Sequence, residues 1–172
     1  MEKTELAKKI VKAAYLEGDF ILSSGKRSKY YMDKYLFSTK PELLRAIAEH
    51  AAALLPAGIA RIAGAELGAV PLAAAISLHT GLPFVIVKKQ VKEYGTSKAI
   101  EGVLEKGDKV ALIEDIITTA TQCIKAAQAL TAAGAEVVKI IGIIDREEGG
   151  RENIQSAGFA YEPLFTRAAL GI

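Results

Sequence analysis

Hydrophobic positions at the start of the chain follow a helical spacing and then change to short apolar runs. Residues 2–17 carry apolar side chains at mostly helical intervals, with Lys and Glu between them, and this predicts an amphipathic helix. Short strands are predicted at 19–22 and 30–33, on either side of a polar, turn-rich segment. We call this small N-terminal unit, at about residues 18–38, the hood.

The rest of the chain alternates between helices and uniformly apolar strands. Helices are predicted at 41–55, 68–78, 121–133 and 149–158. Strands are predicted at 59–63, 84–87, 109–113, 136–144 and 159–165. Because these strands lack polar alternation and are separated by helices, they indicate an α/β fold with a parallel sheet flanked by helices. A chain of 172 residues suits a single domain, 1–172.

One polar stretch interrupts this order at residues 88–102. It holds four lysines, two glycines and few apolar positions, and it connects two strands that are predicted to be buried. A long polar connection of this kind is more often functional than idle, so we expect residues 88–102 to have a function. The alternative is a solvated hairpin that tolerates insertion.

Composition excludes several classes of function. The chain has 22 Lys plus Arg against 20 Asp plus Glu, and a net charge of +2 gives no reason to expect a nucleic-acid partner. Its one cysteine, Cys123, cannot form an internal disulfide, and Cys/His zinc spacings are absent, which favours a cytoplasmic location. No apolar run approaches the length of about 20 residues that a membrane span needs.

The most informative segment is residues 110–122, where an apolar strand is expected to end in Glu114 and Asp115. A hydroxyl-rich turn follows, and then a helix begins. Ligands of parallel sheets collect beyond the carboxyl ends of the strands, and the free amides of a helix N-terminus bind anions. Two adjacent acids would repel a phosphate alone, but they suit a ligand that carries hydroxyls or a metal beside its phosphate. A ribose phosphate is such a ligand.

A simpler alternative is an ordinary strand–turn–helix in which the threonines only cap the helix. It explains Thr118, Thr119 and Thr121, but it does not explain two consecutive acids at the end of a buried strand. The sequence also lacks the residue spacings of other nucleotide-binding motifs and of hydrolase motifs. The chain contains no G-x-x-x-x-G-K-[ST], G-x-G-x-x-G, G-x-S-x-G or H-E-x-x-H pattern.

Residues 114–122 resemble the phosphoribosyl diphosphate signature of type I phosphoribosyltransferases. Further matches follow the same order along the chain, at residues 20–25, 28–31, 64–71, 88–89, 92–96 and 145–146. The hood, the lysines of residues 88–102 and Arg146 together resemble the members of that family that act on orotate. This resemblance implies that residues 88–102 form a mobile lid loop. The resemblance covers roughly residues 17–165. It implies transfer of the phosphoribosyl group from 5-phosphoribosyl 1-diphosphate to orotate, which gives orotidine 5-monophosphate and diphosphate in pyrimidine nucleotide biosynthesis.

The resemblance also implies roles for particular residues. The catalytic set would be Lys92, Glu114 and Asp115, with the two acids holding the ribose hydroxyls. Phosphoribosyl diphosphate would be bound by Lys88, Lys89, Lys92, Glu114, Asp115, Ile116, Ile117, Thr118, Thr119, Ala120, Thr121 and Gln122. Its diphosphate would also meet a diphosphate loop formed by Glu66, Leu67 and Gly68. Orotate would contact Thr118, Arg146, Tyr31 and Met32.

Mg²⁺ is the cofactor that the resemblance implies, held mainly through oxygens of the ligand, so no side chains are assigned to it. A homodimer is also implied, in which the lid of one subunit closes over the site of the other. The chain departs from the family pattern at Ala120, where Gly is usual, at Lys88, where Arg is common, and at Ser23, where many members carry a basic residue.

Some alternatives stay open from the sequence. Arg146 either faces orotate or simply pairs with Glu147 or Glu148 at the entrance to a helix. The whole chain is either an enzyme or a non-catalytic protein that senses phosphoribosyl diphosphate. A purine phosphoribosyltransferase is a weaker possibility, because Arg146 and the hood argue against it.

Overall fold

The N-terminal part of the protein is a helix followed by a hairpin. The computed structural model describes residues 1–21, 25, 27–89 and 99–172. Helix α1 (Lys3–Ala14) buries Leu6, Ile10 and Ala14, which are four residues apart and share one face. Strands β1 (Tyr15–Ile21) and β2 (Arg27–Met32) pair antiparallel and form the hood. The predicted helix was therefore too long, because residues 15–17 pair with β2 instead of continuing α1.

The remaining elements alternate as the hydrophobic pattern predicts. They are α2 (Tyr35–Ser38), α3 (Pro41–Ala52), β3 (Arg61–Ala65), α4 (Ala69–Thr80), β4 (Phe84–Val87), β5 (Ile100–Glu101), β6 (Lys109–Ile117), α5 (Thr121–Ala132), β7 (Glu136–Asp145), α6 (Gly150–Ser156), β8 (Tyr161–Thr166) and α7 (Arg167–Leu170). The sequence reasoning missed α2, β5 and α7, each of four residues or fewer. Elements this short do not repeat a hydrophobic period. No helix within the described ranges is long and apolar enough to cross a membrane.

The central sheet has six strands in the order β5-β4-β3-β6-β7-β8. All neighbouring pairs are parallel except β4 and β5, which pair antiparallel at one edge. Helices cover both faces: Ile113 and Ile141 pack toward α1, α3 and α4, whereas Leu112 and Ile140 pack toward α5 and α6. The fold class predicted from the sequence is confirmed, with the addition of the antiparallel edge strand.

One boundary matters for function. Strand β6 was expected to end at Ile113, but it continues to Ile117, because Glu114, Ile116 and Ile117 pair with β7. Glu114 and Asp115 therefore lie within the C-terminal, hydrogen-bonded part of a central strand and not beyond its end. Their backbone is held by the sheet, which fixes where the two carboxylates project.

Candidate active site

A cavity of about 870 Å³ opens at the carboxyl edge of the sheet. It lies between the hood, the ends of β3 and β4, and the turn that follows β6. Most of the residues that the sequence assigned to a site line it together, namely Tyr31, Met32, Glu66, Lys88, Lys89, the nine residues 114–122 and Arg146. Leu67 and Gly68 follow Glu66 directly. Lys92 lies outside the described residues, so its placement stays a prediction.

The most buried charge in this cavity is the carboxylate of Asp115. Its side chain is only 3% exposed, with Oδ2 at 2.7 Å from Nζ of Lys34 and Oδ1 accepting a hydrogen bond from the Ile116 amide at 2.6 Å. A buried carboxylate is costly unless it is paired in this way. A β-carbon at Gly68 would collide with this carboxylate, so the diphosphate loop can approach Asp115 only because residue 68 is glycine.

Glu114 lies beside Asp115 in the same strand. Burial raises the pKa of Glu114 well above its ordinary value, and the neighbouring charge of Asp115 raises it further. Burial and the neighbouring charge therefore both act against ionisation of Glu114. Hydroxyl groups that donate hydrogen bonds to the pair would favour the ionised form, which is the form that stabilises a developing positive charge.

The turn between β6 and α5 offers an anion site. Ala120 precedes the first residue of α5 and has a left-handed backbone, with φ of 62°, so alanine occupies a conformation that favours glycine. Gly is usual at this position in the family pattern, and the positive φ means that alanine is strained here. The first amides of α5 have no side-chain cap at Ala120 and lie at the edge of the cavity.

Helix α6 supports this turn from outside the cavity. The side-chain amide of Asn153 donates a hydrogen bond of 3.0 Å to the carbonyl of Thr119. A β-carbon at Gly150 would collide with the carbonyl of Thr118, so the first residue of α6 packs directly on the turn. Sequence reasoning did not identify Asn153 or Gly150, because no local pattern links α6 to a turn about 30 residues earlier.

Arg146 lies at the end of β7 and lines the cavity beside the hood. Its backbone amide donates to the carbonyl of Ile117 at 2.9 Å. The guanidinium lies 5.1 Å above the Tyr30 ring centroid, and Nη2 donates to the Tyr30 hydroxyl at 3.3 Å. Its Nε lies 3.0 Å from Oε1 of Glu148, so the predicted pairing with a nearby acid is present. This pairing does not remove Arg146 from the cavity, because Glu148 also lines it.

Asp145 holds the backbone at this corner. One carboxylate oxygen accepts from the amide of Glu147 at 2.8 Å, and the other accepts from the hydroxyl of Tyr161 at 3.0 Å. Burial raises the pKa of Tyr161 strongly, and the charge of Asp145 raises it further, so the hydroxyl keeps its proton and remains a donor. Sequence reasoning noted Asp145 only as a neighbour of Arg146.

The base of the predicted lid is held by the sheet edge. The Lys88 amide donates to the Ala99 carbonyl at 2.8 Å, and the Lys88 ammonium pairs with Glu101 at 2.8 Å. The Lys89 amide donates to the Glu66 carboxylate at 3.0 Å, which joins the lid to the diphosphate loop. Both lysines directly follow the end of β4 and line the cavity.

Comparisons with known proteins agree with this geometry. Residues 38–159 match the family model described as phosphoribosyl transferase domain. Over 153 residues the chain is 48% identical to the orotate phosphoribosyltransferase of Methanocella arvoryzae, covering 89% of this chain and 87% of that one. Over 166 residues it is 48% identical to that of Pyrococcus horikoshii, covering 94% and 89%. A solved Mycobacterium tuberculosis orotate phosphoribosyltransferase in complex with 5-phospho-alpha-D-ribosyl 1-diphosphate matches with a TM-score of 0.84 and 28% identity, over 99% of both chains.

The family match spans more than half of the chain, and the relatives match it along nearly their whole lengths. The sheet flanked by helices agrees with the fold of the matched structure. The chain belongs to the phosphoribosyl transferase domain family, among the orotate phosphoribosyltransferases.

Proposed function

We propose that the protein transfers the phosphoribosyl group of 5-phosphoribosyl 1-diphosphate to orotate, giving orotidine 5-monophosphate and diphosphate. One observation carries this proposal: Glu114 and Asp115 line the same cavity as the helix start at 120–122 and as Arg146. These groups match three parts of the two substrates, namely the ribose and the 5-phosphate of phosphoribosyl diphosphate, and orotate. The acids suit the ribose hydroxyls, the helix start suits the 5-phosphate, and the guanidinium suits orotate.

In the reaction, the bond from the ribose C1 to diphosphate breaks and a bond from C1 to the ring nitrogen of orotate forms. The ribose ring gains positive charge as diphosphate leaves, and the carboxylates of Glu114 and Asp115 stabilise that charge. The amides at the start of α5 hold the 5-phosphate, so the sugar cannot rotate away from its acceptor. The orotate nitrogen reacts as an anion, so the chemistry requires no strong base.

Orotate is proposed to lie between the hood and Arg146. Its carboxylate or a ring carbonyl would pair with the guanidinium, and Thr118 would add a hydrogen bond. Tyr31 and Met32 would cover the ring, and both already line the cavity. The guanidinium is held by Tyr30 and Glu148, which keeps it at the cavity wall in a defined position.

The lid is proposed to complete the site. Lys88 and Lys89 stand at its base, and Lys92 is the residue that we expect to reach the leaving diphosphate, because a lysine stem can follow a closing loop. Closure of such a loop would exclude water, which would otherwise compete with orotate for the ribose C1.

Mg²⁺ is proposed to be bound mainly through oxygens of the ligand, as is common for this ion. The carboxylate of Glu66, which lines the cavity in the diphosphate loop, is a hard oxygen donor of the kind that this ion prefers. Bound there, the ion would neutralise the diphosphate. Among the residues with described positions, no group of three or more His, Cys, Asp or Glu could hold a metal by itself. We also propose a cytoplasmic location, where the single thiol of Cys123 stays reduced.

The test is an absorbance assay of orotate with phosphoribosyl diphosphate and Mg²⁺. We expect loss of the orotate absorbance band, dependent on all three components. If a purine base is consumed and orotate is not, the protein transfers the phosphoribosyl group but the proposed acceptor is wrong. Calorimetric binding of phosphoribosyl diphosphate without turnover of any base would contradict the enzyme and support a sensing protein.

A further inference from the structure

Lys34 is a cavity residue that sequence reasoning did not assign to the site. It follows β2 and lies at the start of α2, where its neighbours are well anchored. The Asp33 amide donates to the Ala14 carbonyl at 2.9 Å, and the Asp33 carboxylate accepts from the Tyr35 amide at 3.0 Å. These contacts fix the backbone on both sides of Lys34, and its side chain, which is 31% exposed, lines the cavity.

The Lys34 ammonium lies between the acid pair and the diphosphate loop. Its Nζ is 2.7 Å from Oδ2 of Asp115, and Cε would lie 3.0 Å from a β-carbon built at Gly68. Burial lowers the pKa of Lys34, but the ion pair and hydrogen bond with Asp115 outweigh this effect, so the pKa is raised and the residue stays cationic. A cation is therefore held beside the loop that is proposed to receive the diphosphate.

The partner of Lys34 distinguishes it from Lys88 and Arg146, two other cations that line the cavity. Lys88 pairs with Glu101, and Arg146 pairs with Glu148. Lys34 pairs with a carboxylate that is itself proposed to bind the ribose hydroxyls. When those hydroxyls donate to Asp115, the carboxylate keeps its hydrogen bonds without Lys34, and the ammonium can turn to an anion beside Gly68.

We propose that Lys34 is a substrate-binding residue that neutralises Asp115 before the substrate binds and contacts the diphosphate of bound phosphoribosyl diphosphate. This inference rests on the proposed function and adds a residue from the hood to its diphosphate site. It also gives the hood a role in binding both substrates, since Tyr31 and Met32 face the proposed orotate position from the same segment.

The first experiment measures binding of inorganic diphosphate with Mg²⁺ by calorimetry, which requires no turnover. Lys34→Met is expected to weaken binding about tenfold, the effect of losing one charge-assisted hydrogen bond. Lys34→Arg keeps the charge and is expected to retain most of the affinity. Lys29→Met is the matched control, because Lys29 is a hood lysine that is 87% exposed, pairs with Asp19 and does not line the cavity.

A purely structural role would also weaken binding, because Lys34→Met leaves Asp115 buried without its cation. The double variant separates the two roles, since Asp115→Asn removes the charge that a structural Lys34 would neutralise. If Lys34 contacts diphosphate, adding Lys34→Met to Asp115→Asn weakens binding again by about tenfold. If the second substitution has no effect in that background, Lys34 acts only on Asp115 and the inference is overturned.

Steady-state kinetics give a second readout. Lys34→Met is expected to raise the KM for phosphoribosyl diphosphate about tenfold, while the KM for orotate stays within about twofold. Equal KM values for phosphoribosyl diphosphate in Lys34→Met and the parent would overturn the inference and leave the proposed function intact. A parent protein that binds neither diphosphate nor phosphoribosyl diphosphate would overturn the proposed function itself.

Discussion

At the scale of single residues, the site places two acids side by side in a central strand. Asp115 is compensated by Lys34, whereas Glu114 has a raised pKa because of burial and the adjacent charge. An acid whose pKa is higher in the folded state than in the unfolded state stabilises the fold at low pH. That contribution is lost as the pH rises through the folded pKa. Glu114 therefore lowers the free energy of unfolding as the pH rises above the ordinary pKa of a glutamate.

Glu114→Gln tests this effect of pH on the free energy of unfolding. The amide does not titrate, so the variant should become increasingly more stable than the parent as the pH rises above 4.5, the ordinary value for Glu. The same variant should lose turnover. Thermal unfolding across a pH series measures the first effect, with exposed Glu17→Gln as the control. A difference between Glu114→Gln and the parent that is the same at every pH would show that Glu114 does not titrate differently in the folded protein.

Ala120 is a residue of the candidate site whose backbone conformation is strained. Its φ of 62° strains any residue with a β-carbon, and a β-branched residue most of all. Ala120→Val should therefore lower the free energy of unfolding by more than about 1 kcal/mol, whereas Ala120→Gly should be tolerated. Ala132→Val, at an exposed position of α5, is the control and should cost only about 0.5 kcal/mol through helix propensity. Chemical denaturation would measure all three, and equal losses at the two positions would contradict strain at residue 120.

At the scale of elements, the turn after β6 depends on α6. The Asn153 side chain holds the Thr119 carbonyl, and through it the amides that are proposed to bind the 5-phosphate. Loss of one such hydrogen bond is worth about 1 kcal/mol, so Asn153→Ala should raise the KM for phosphoribosyl diphosphate about fivefold and change kcat less. Gln155→Ala, exposed on the same helix, is the matched control. An unchanged KM in Asn153→Ala would show that the turn does not need this support.

The elements that the sequence predicted well are those with long hydrophobic patterns. Helices α3 and α5 begin at the expected residues, and β4 has the expected bounds. The end of β6 was misplaced because acids are unusual inside a strand, and only pairing with β7 keeps residues 114–117 in the sheet. The start of β1 was misplaced for a similar reason, since Tyr15 pairs with Met32, which lies 17 positions away in the chain.

The candidate site was predictable where its residues are adjacent in sequence and not where they meet through the fold. Glu114, Asp115 and the turn to Gln122 form one continuous segment that carries its own chemical pattern. Lys34 and Asn153 lie far from that segment and are brought to it by the hood and by α6. A lone lysine or asparagine in a polar stretch carries no signal of such a contact.

At the scale of the whole molecule, the proposed homodimer with a shared lid is testable by mixing subunits. Lys92→Ala subunits and Asp115→Asn subunits should each be inactive alone. If the lid of one subunit completes the site of the other, hybrids contain one intact site and should recover up to about a quarter of the parent activity, because half of the dimers are hybrids with one good site of two. The measurement is turnover after mixing and reassembly, with native mass spectrometry to confirm that hybrids form. Confirmed hybrids without activity would place the lid over its own subunit's site.

The antiparallel pairing of β4 with β5 has a consequence for protein engineering. Residues 87 and 100 are register partners, so the two ends of the intervening segment are clamped beside each other by main-chain bonds. Changing the length of a chain between fixed ends costs little entropy, since doubling it adds only about 0.6 kcal/mol. Segments of different size or composition are therefore expected to be exchangeable between these two anchor points, with catalysis altered while the melting temperature hardly changes.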